Sequence, residues 1–166
     1  MAGSFIPGQE VAYRRLSRED LPPMLKDYPD HHDAELVIKL YELRREATMR
    51  EARAAISSFW PKTIDDIKPV LDGKHPLNSA FRQVGSYWEM VYGMARHRII
   101  DPEFLMDSNG EGLFLYAKVV PFLAELRTVG SPRQFFNAQW VVTETEAGKE
   151  AFARINAYVQ KVLATK

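Results

Sequence analysis

The sequence of 166 residues contains no cysteine. This absence excludes disulfide frameworks, thiol nucleophiles, iron–sulfur clusters held by cysteine and Cys-ligated zinc. A chain of this length can form a hydrophobic core without disulfides or metals. The composition therefore predicts an ordinary soluble globular protein, and we expect it in a reducing cytoplasm.

The chain also lacks an excess of charge of either sign. Its 22 lysine and arginine residues equal its 22 aspartate and glutamate residues in number. Proteins that bind nucleic acid without sequence preference neutralise phosphates with a strongly basic surface. We therefore predict that nucleic acid is not a partner.

Long hydrophobic runs are missing as well. The N-terminal stretch has no apolar segment behind a basic head, so it does not resemble a secretory signal. The most apolar stretch, from Leu113 to Leu126, is interrupted by Lys118, Pro121 and Glu125. Because about 20 apolar residues are needed to cross a bilayer, no membrane span is predicted.

The motifs that support common chemistries are absent. The sequence has no phosphate-binding or dinucleotide-binding glycine loop, no Gly-x-Ser-x-Gly, no His-Glu-x-x-His and no Glu-x-x-His. No cofactor is predicted, and the sequence favours a non-catalytic protein.

The most regular feature present is a long helical pattern that begins at Asp33. Apolar residues recur every three or four positions from Leu36 to Phe59. Asp33 is a suitable N-cap and Pro61 a suitable stop. The pattern predicts one scaffold helix of about 40 Å at 1.5 Å per residue.

Further helices are predicted along the rest of the chain. A short helix should cover 63–71, and a longer one should run from Asn78 or Ser79 to about His97. Gly85 and Gly93 lie inside the longer helix, which predicts close approach of a neighbouring helix at both positions.

Capping signals place the remaining helices. Asp101-Pro102-Glu103 predicts a helix start, and Pro121 should kink a helix that covers 111–127. Thr143 with Glu146 predicts a capping box for the last helix, after a loop. The predicted fold is all-α, an irregular antiparallel bundle with one long scaffold helix, in a single domain over 33–166.

Residues 1–32 form a different kind of segment. They contain Pro7, Pro22, Pro23 and Pro29, and their apolar residues follow no sustained period. They are nevertheless too rich in aromatic and aliphatic residues for a disordered tail. We predict an extended N-terminal arm that packs either on its own domain or on a second copy of the chain.

Three segments resemble a known family. They are LYELRREATMREARAAI (40–56), VGSYWEMVYGMARHRIIDPEFL (84–105) and LYAKVVPFLAELR (115–127). Together they resemble a widespread, uncharacterised bacterial helical domain of unknown function, over about residues 36 to 130. The resemblance implies an all-helical fold and no assigned activity. Many members carry a membrane helix ahead of this domain, a segment that this sequence does not show.

The densest cluster of possible metal ligands is His31, His32 and Asp33, close to Glu35. A metal site would need further ligands, for which His75, His97, Asp101 and Asp107 are available. The simpler interpretation is that Asp33 caps a helix and both histidines lie in solvent. We predict no metal site.

Aromatic residues at helical spacing offer a second candidate site. Trp88, Tyr92 and Tyr116 could border a ligand pocket, although such residues more often fill a core. The preferred prediction of function is a non-catalytic interaction or regulatory module that binds a protein partner or self-associates through the arm or the long helix. The alternative is a small-molecule-sensing helical domain with a pocket near these three residues.

Overall fold

A computed structural model of the chain describes residues 28 to 165. This part contains only helices and connecting segments, which confirms the all-α class. The first 27 residues of the predicted arm lie outside the described residues. The helices are α1 (His31–Arg44), α2 (Ala47–Ser57), α3 (Ile64–Ile67), α4 (Asn78–Arg96), α5 (Pro102–Asn109), α6 (Gly112–Val119), α7 (Leu123–Val129), α8 (Phe136–Glu144) and α9 (Glu146–Thr165), with 3-10 turns at Lys68–Leu71 and Val120–Phe122.

The helices form the predicted irregular antiparallel bundle around α4. Helices α2 and α8 pack against α4, while α9 packs against α5, α6 and α8. Helix α1 lies at the margin, where it contacts α2 and α5. Between residues 28 and 165 no helix has the length and apolarity to cross a membrane.

The scaffold helix predicted from Asp33 to Phe59 is two helices, so its continuity was predicted wrongly. Helix α1 ends when the Arg45 N–H donates to the carbonyls of Glu42 and Leu43, and Glu46 then takes a ψ of 145°. The break reorients the chain so that Met49, Ala52 and Ile56 are buried on α2. No proline or glycine lies at this break. The longest helices among residues 28–165 are α4 and α9, not the predicted scaffold helix.

Pro121 interrupts the helix predicted over 111–127, as expected. Helix α6 ends at Val119, a 3-10 turn covers Val120–Phe122, and α7 begins at Leu123. Proline has no N–H to donate, so an α-helical hydrogen bond cannot form at this point.

A continuous row of aromatic rings runs through the core. Edge-to-face or tilted contacts join Phe59 to Phe81, Phe81 to Phe135, Phe135 to Tyr116 and Tyr116 to Phe152, with centroid distances between 5.5 and 6.2 Å. The row joins the end of α2 to α4, α6, the start of α8, and α9. Such pairs add about 0.5 to 1.5 kcal/mol each beyond burial, so the row ties five helices into one core.

The structure corrects two predicted helix caps and confirms a third. Asp30, not Asp33, is the N-cap of α1, since its carboxylate accepts from the N–H groups of His32 and Asp33. Thr145, not Thr143, caps α9 by accepting from the Gly148 N–H. Asp101 caps α5 as predicted, accepting from the Phe104 N–H at 2.8 Å.

Carboxylates from distant parts of the chain hold three helix starts. Asp33 accepts from the Asp101 N–H ahead of α5. Glu89 on α4 accepts from two N–H groups in the first turn of α8, and Glu103 on α5 accepts from two at the start of α9. Because helix N-termini leave unpaired N–H groups and carry partial positive charge, these contacts fix the mutual positions of the helices.

Helix α8 replaces most of the predicted loop before the last helix. It begins after Phe135, which adopts a left-handed backbone (φ 54°) and is buried. No side chain from its own N-terminal segment caps it. Its N-terminal N–H groups are instead satisfied by Glu89, which lies 48 residues earlier than Asn137.

Candidate ligand site and docking surface

The candidate metal ligands His31, His32 and Asp33 do not form one cluster. Asp33 is fully buried, and its carboxylate accepts from the N–H groups of Asp30 and Asp101. The His31 and His32 rings lie 4.1 Å apart on an exposed part of α1, and His32 lies 3.9 Å from Glu35. In the part of the chain that the structure describes, no three acidic or histidine side chains converge in a way that could hold a metal.

The three predicted pocket residues are buried in the core. Trp88 stacks on Tyr92 with centroids 5.6 Å apart, and the Tyr92 hydroxyl donates to the carbonyl of Asn109. Gly112 lies so close to both rings that a β-carbon there would overlap them. Tyr116 contacts Phe135 and Phe152. Of the three, Trp88 lines the cavity that is described next, while Tyr92 and Tyr116 do not line it.

A cavity of about 350 Å³ lies beside Trp88, displaced from the predicted pocket. We call it the Trp88 cavity. Its apolar walls are Ile56, Trp60, Val84, Trp88, Phe114 and Leu115. Tyr158, Ser57 and the charged residues Arg53, Glu111 and Lys118 complete the lining. Its volume falls near the lower end of the range for small-molecule sites.

Lys118 is the least expected residue of this cavity, because a buried lysine is rare. It is 3% exposed, and its ammonium group donates to the carbonyls of Ile56 and Ser57 at 3.1 and 3.2 Å. The ammonium also lies 4.1 Å from the centre of the Trp60 ring. Because a helix C-terminus carries partial negative charge, Lys118 holds the end of α2 and places a positive charge beside the cavity.

Glu111 joins α1 and α2 to the start of α6. Its carboxylate lies 3.1 Å from Arg44 and 2.5 Å from Arg53, and all three side chains are at most one-third exposed. One carboxylate thus faces two guanidinium groups. Lys118 also lines the Trp88 cavity, so cations outnumber the carboxylate around it.

A wider groove lies on the other side of α4. It has a volume of about 710 Å³ and runs between α4 and the segment 129–135. Gly85 lines it, and a β-carbon at Gly85 would contact nothing, so the predicted close approach at this glycine is wrong. The prediction is confirmed at Gly93, where a β-carbon would lie 3.0 Å from the Asn137 amide nitrogen.

Helix α1 exposes apolar side chains on the side that faces away from the bundle. Ile38 is 60% exposed and Tyr41 45%, three residues apart and therefore on one face. We call Ile38 and Tyr41 the α1 outer face. Leu36, Val37 and Leu40 pack inward on the other side of the same helix. The guanidinium groups of Arg44 and Arg45 lie over the Tyr41 ring in cation–π contacts.

Among the tyrosines in residues 28–165, Tyr92 has the most strongly raised pKa. Complete burial, with smaller contributions from Glu111 and Glu89, raises the pKa of its phenol well above the ordinary value of 10.0. The phenol is therefore protonated at neutral pH and acts as a structural hydrogen-bond donor.

Comparison with known protein families shows to which family the chain belongs. The family described as a domain of unknown function, DUF4760, matches residues 29–145. The chain belongs to this family. The match begins just before α1 and ends at the cap of α9, so it includes both the α1 outer face and most of the Trp88 cavity. Comparisons with curated proteins and with solved structures returned no match.

Proposed function

We propose that this protein is a non-catalytic interaction module that self-associates through its N-terminal region. The observation that carries the proposal is that α1 has apolar residues at positions that pack on the bundle and also at positions that are exposed. A helix that is apolar on several sides is normally covered by more than one layer. Only Asp33 and Leu40 are buried among its 14 residues.

The occupant that we propose for the α1 outer face is residues 1–27 of a second copy. After Met1, this segment contains eight large apolar residues and leads directly to Tyr28, which is 82% exposed, and so to α1. The eight residues are Phe5, Ile6, Val11, Tyr13, Leu16, Leu21, Met24 and Leu25. Their burial against Ile38 and Tyr41 would remove apolar area from water at about 25 cal/mol per Å². The absence of cysteine is compatible with action in a bacterial cytoplasm, where we place the module.

Light scattering coupled to size-exclusion chromatography tests self-association on the full chain. We expect a mass of twice 19.0 kDa for the wild type and 19.0 kDa for an Ile38→Ser, Tyr41→Ser double variant. Val129→Ser is the matched control, because Val129 is 51% exposed and lies on α7, which packs on α3. A monomeric wild type, or a double variant with the same mass as the wild type, would refute the proposal.

We propose small-molecule binding as a second function, because the Trp88 cavity is lined by aromatic side chains and contains a buried charge, that of Lys118. A ligand at 100 times its dissociation constant should raise the free energy of unfolding by about 2.7 kcal/mol. Thermal unfolding of the wild type against a broad metabolite panel tests this function. A panel in which no compound raises the midpoint would count against it.

A further inference from the structure

The charges around the Trp88 cavity indicate which ligands fit it. The cavity lining contains two cations, Arg53 and Lys118, and one carboxylate, Glu111. Glu111 is shared between Arg53 and Arg44, which adds a third cation next to the site. Charges on walls of low dielectric constant act more strongly than they do in water, so the cavity favours an anion over a cation.

The walls indicate the rest of the ligand. Trp60, Trp88, Phe114 and Tyr158 present aromatic surface, and Ile56 and Leu115 add aliphatic surface. The volume of about 350 Å³ fits a small ring compound with a short side chain. Lys118 lies against the Trp60 ring, so a charged group and a flat apolar surface meet at one end of the cavity.

We propose that the Trp88 cavity binds small amphipathic carboxylates, with the ring between the aromatic walls and the carboxylate toward Lys118. This inference rests on the second proposed function and adds the chemical class of the ligand. The carboxylate would gain a charge-assisted interaction with an ammonium already fixed by the carbonyls of Ile56 and Ser57. Little side-chain ordering would then be required on binding.

Calorimetric titration with three probes of the same shape tests the ligand class. The probes are 3-phenylpropanoate, its neutral primary amide and the corresponding amine. We expect the carboxylate to bind the full-length protein at least about tenfold more tightly than the amide, and the amine not to bind. In Lys118→Met, which keeps the volume but removes the charge, the preference for the carboxylate should fall toward unity, with circular dichroism as the check on folding.

A blocking variant locates the site. Ser57 is exposed at the cavity, so Ser57→Phe should fill the cavity without altering the core and abolish binding of the carboxylate. Ser86→Phe is the matched control, because Ser86 is exposed in the other groove, and it should bind as the wild type does.

Each remaining outcome contradicts the inference in a different way. Equal affinity for carboxylate and amide, lost in Ser57→Phe, would overturn the anionic class and leave small-molecule binding at this cavity in place. Binding that persists in Ser57→Phe would place the ligand elsewhere. Failure of all three probes to bind at millimolar concentration would overturn the inference, while the broad panel decides separately on small-molecule binding.

Discussion

Charged residues have different roles on the two sides of α4. On the side of α8 and α9, N–H groups of neighbouring helices donate to the carboxylates of Glu89 and Glu103. On the side of α1 and α2, cations border an open cavity, and apolar side chains of α1 face outward. We call these the α8–α9 side and the α1–α2 side.

The difference separates residues that fold the protein from residues available to other molecules. The helix starts of the α8–α9 side are satisfied within the chain, so its polar groups contribute to stability. The α1–α2 side leaves a cavity and a helix face that another molecule can occupy. Substitutions on the first side should therefore change the free energy of unfolding, and exposed substitutions on the second should change association or binding.

Asp33 connects the two sides and should give the largest effect. Asp33→Ala removes a fully buried carboxylate and leaves the N–H groups of Asp30 and Asp101 without this acceptor, so we expect a loss of about 3 kcal/mol in the free energy of unfolding. Chemical denaturation measures the loss, with the exposed Glu35→Ala as the control. A loss below about 1 kcal/mol would show that this link between α1 and α5 matters little.

Gly112, which packs against α4, and Gly85, which lies within α4, give the next contrast. A β-carbon at Gly112 would overlap Trp88 and Tyr92, so Gly112→Ala should lower the free energy of unfolding by about 2 kcal/mol. Gly85 lies inside α4 with open space around it, so Gly85→Ala should raise the free energy of unfolding by about 0.5 to 1 kcal/mol. Denaturation of both variants measures the pair. Equal signs for the two changes would contradict the packing described for α4.

The buried phenol of Tyr92 predicts a loss of stability at alkaline pH. Its pKa is raised in the folded state, so below about pH 10 the phenol is protonated in both states and the stabilisation is fully present. Above that pH the unfolded chain releases the proton more readily, and the free energy of unfolding decreases.

Tyr92→Phe separates this contribution from those of other tyrosines. The variant should lose about 1 kcal/mol at neutral pH, because the hydrogen bond to the Asn109 carbonyl is removed. Its stability should then fall less steeply than that of the wild type above pH 10. Burial also raises the pKa of Tyr87 and Tyr116, so some slope should remain. Parallel pH profiles for wild type and variant would rule out the role given to Tyr92.

The smallest effect on stability is expected on the α1 outer face. Because Ile38 and Tyr41 are largely exposed, Ile38→Ser with Tyr41→Ser should change the free energy of unfolding of the monomer by no more than about 0.5 kcal/mol. Denaturation at a concentration low enough to keep the wild type monomeric measures this change. A loss of several kcal/mol would instead show that these side chains support the fold.

Local sequence patterns predicted most helices because the signals for those helices lie within them. Asp101 and Pro102 begin α5, and Pro121 ends α6, through interactions within a few residues. Helix α8 was not predicted, because its start depends on the left-handed backbone conformation of Phe135 and on a hydrogen bond to Glu89 from another helix. The break between α1 and α2 was also missed. Helix α2 packs on α4, and no proline or glycine at the break indicates where α1 ends.

The candidate site could be predicted only in part. Trp88 does border a cavity, but Tyr92 and Tyr116 are in the core, because Gly112 brings α6 onto the stacked rings. The part played by Lys118 depends on the end of α2, 61 residues away in the sequence. Its position inside an otherwise apolar helix was the one local signal that could have indicated a buried charge.

Amide hydrogen exchange at two protein concentrations tests the proposed self-association most directly. We compare peptides from 31–44 with peptides from 78–96 in the full-length chain. We predict that exchange in α1 slows as the concentration rises, because a second copy covers its outer face, while exchange in α4 is unchanged. Identical exchange of α1 at low and high concentration would contradict the claim that this face is an interface.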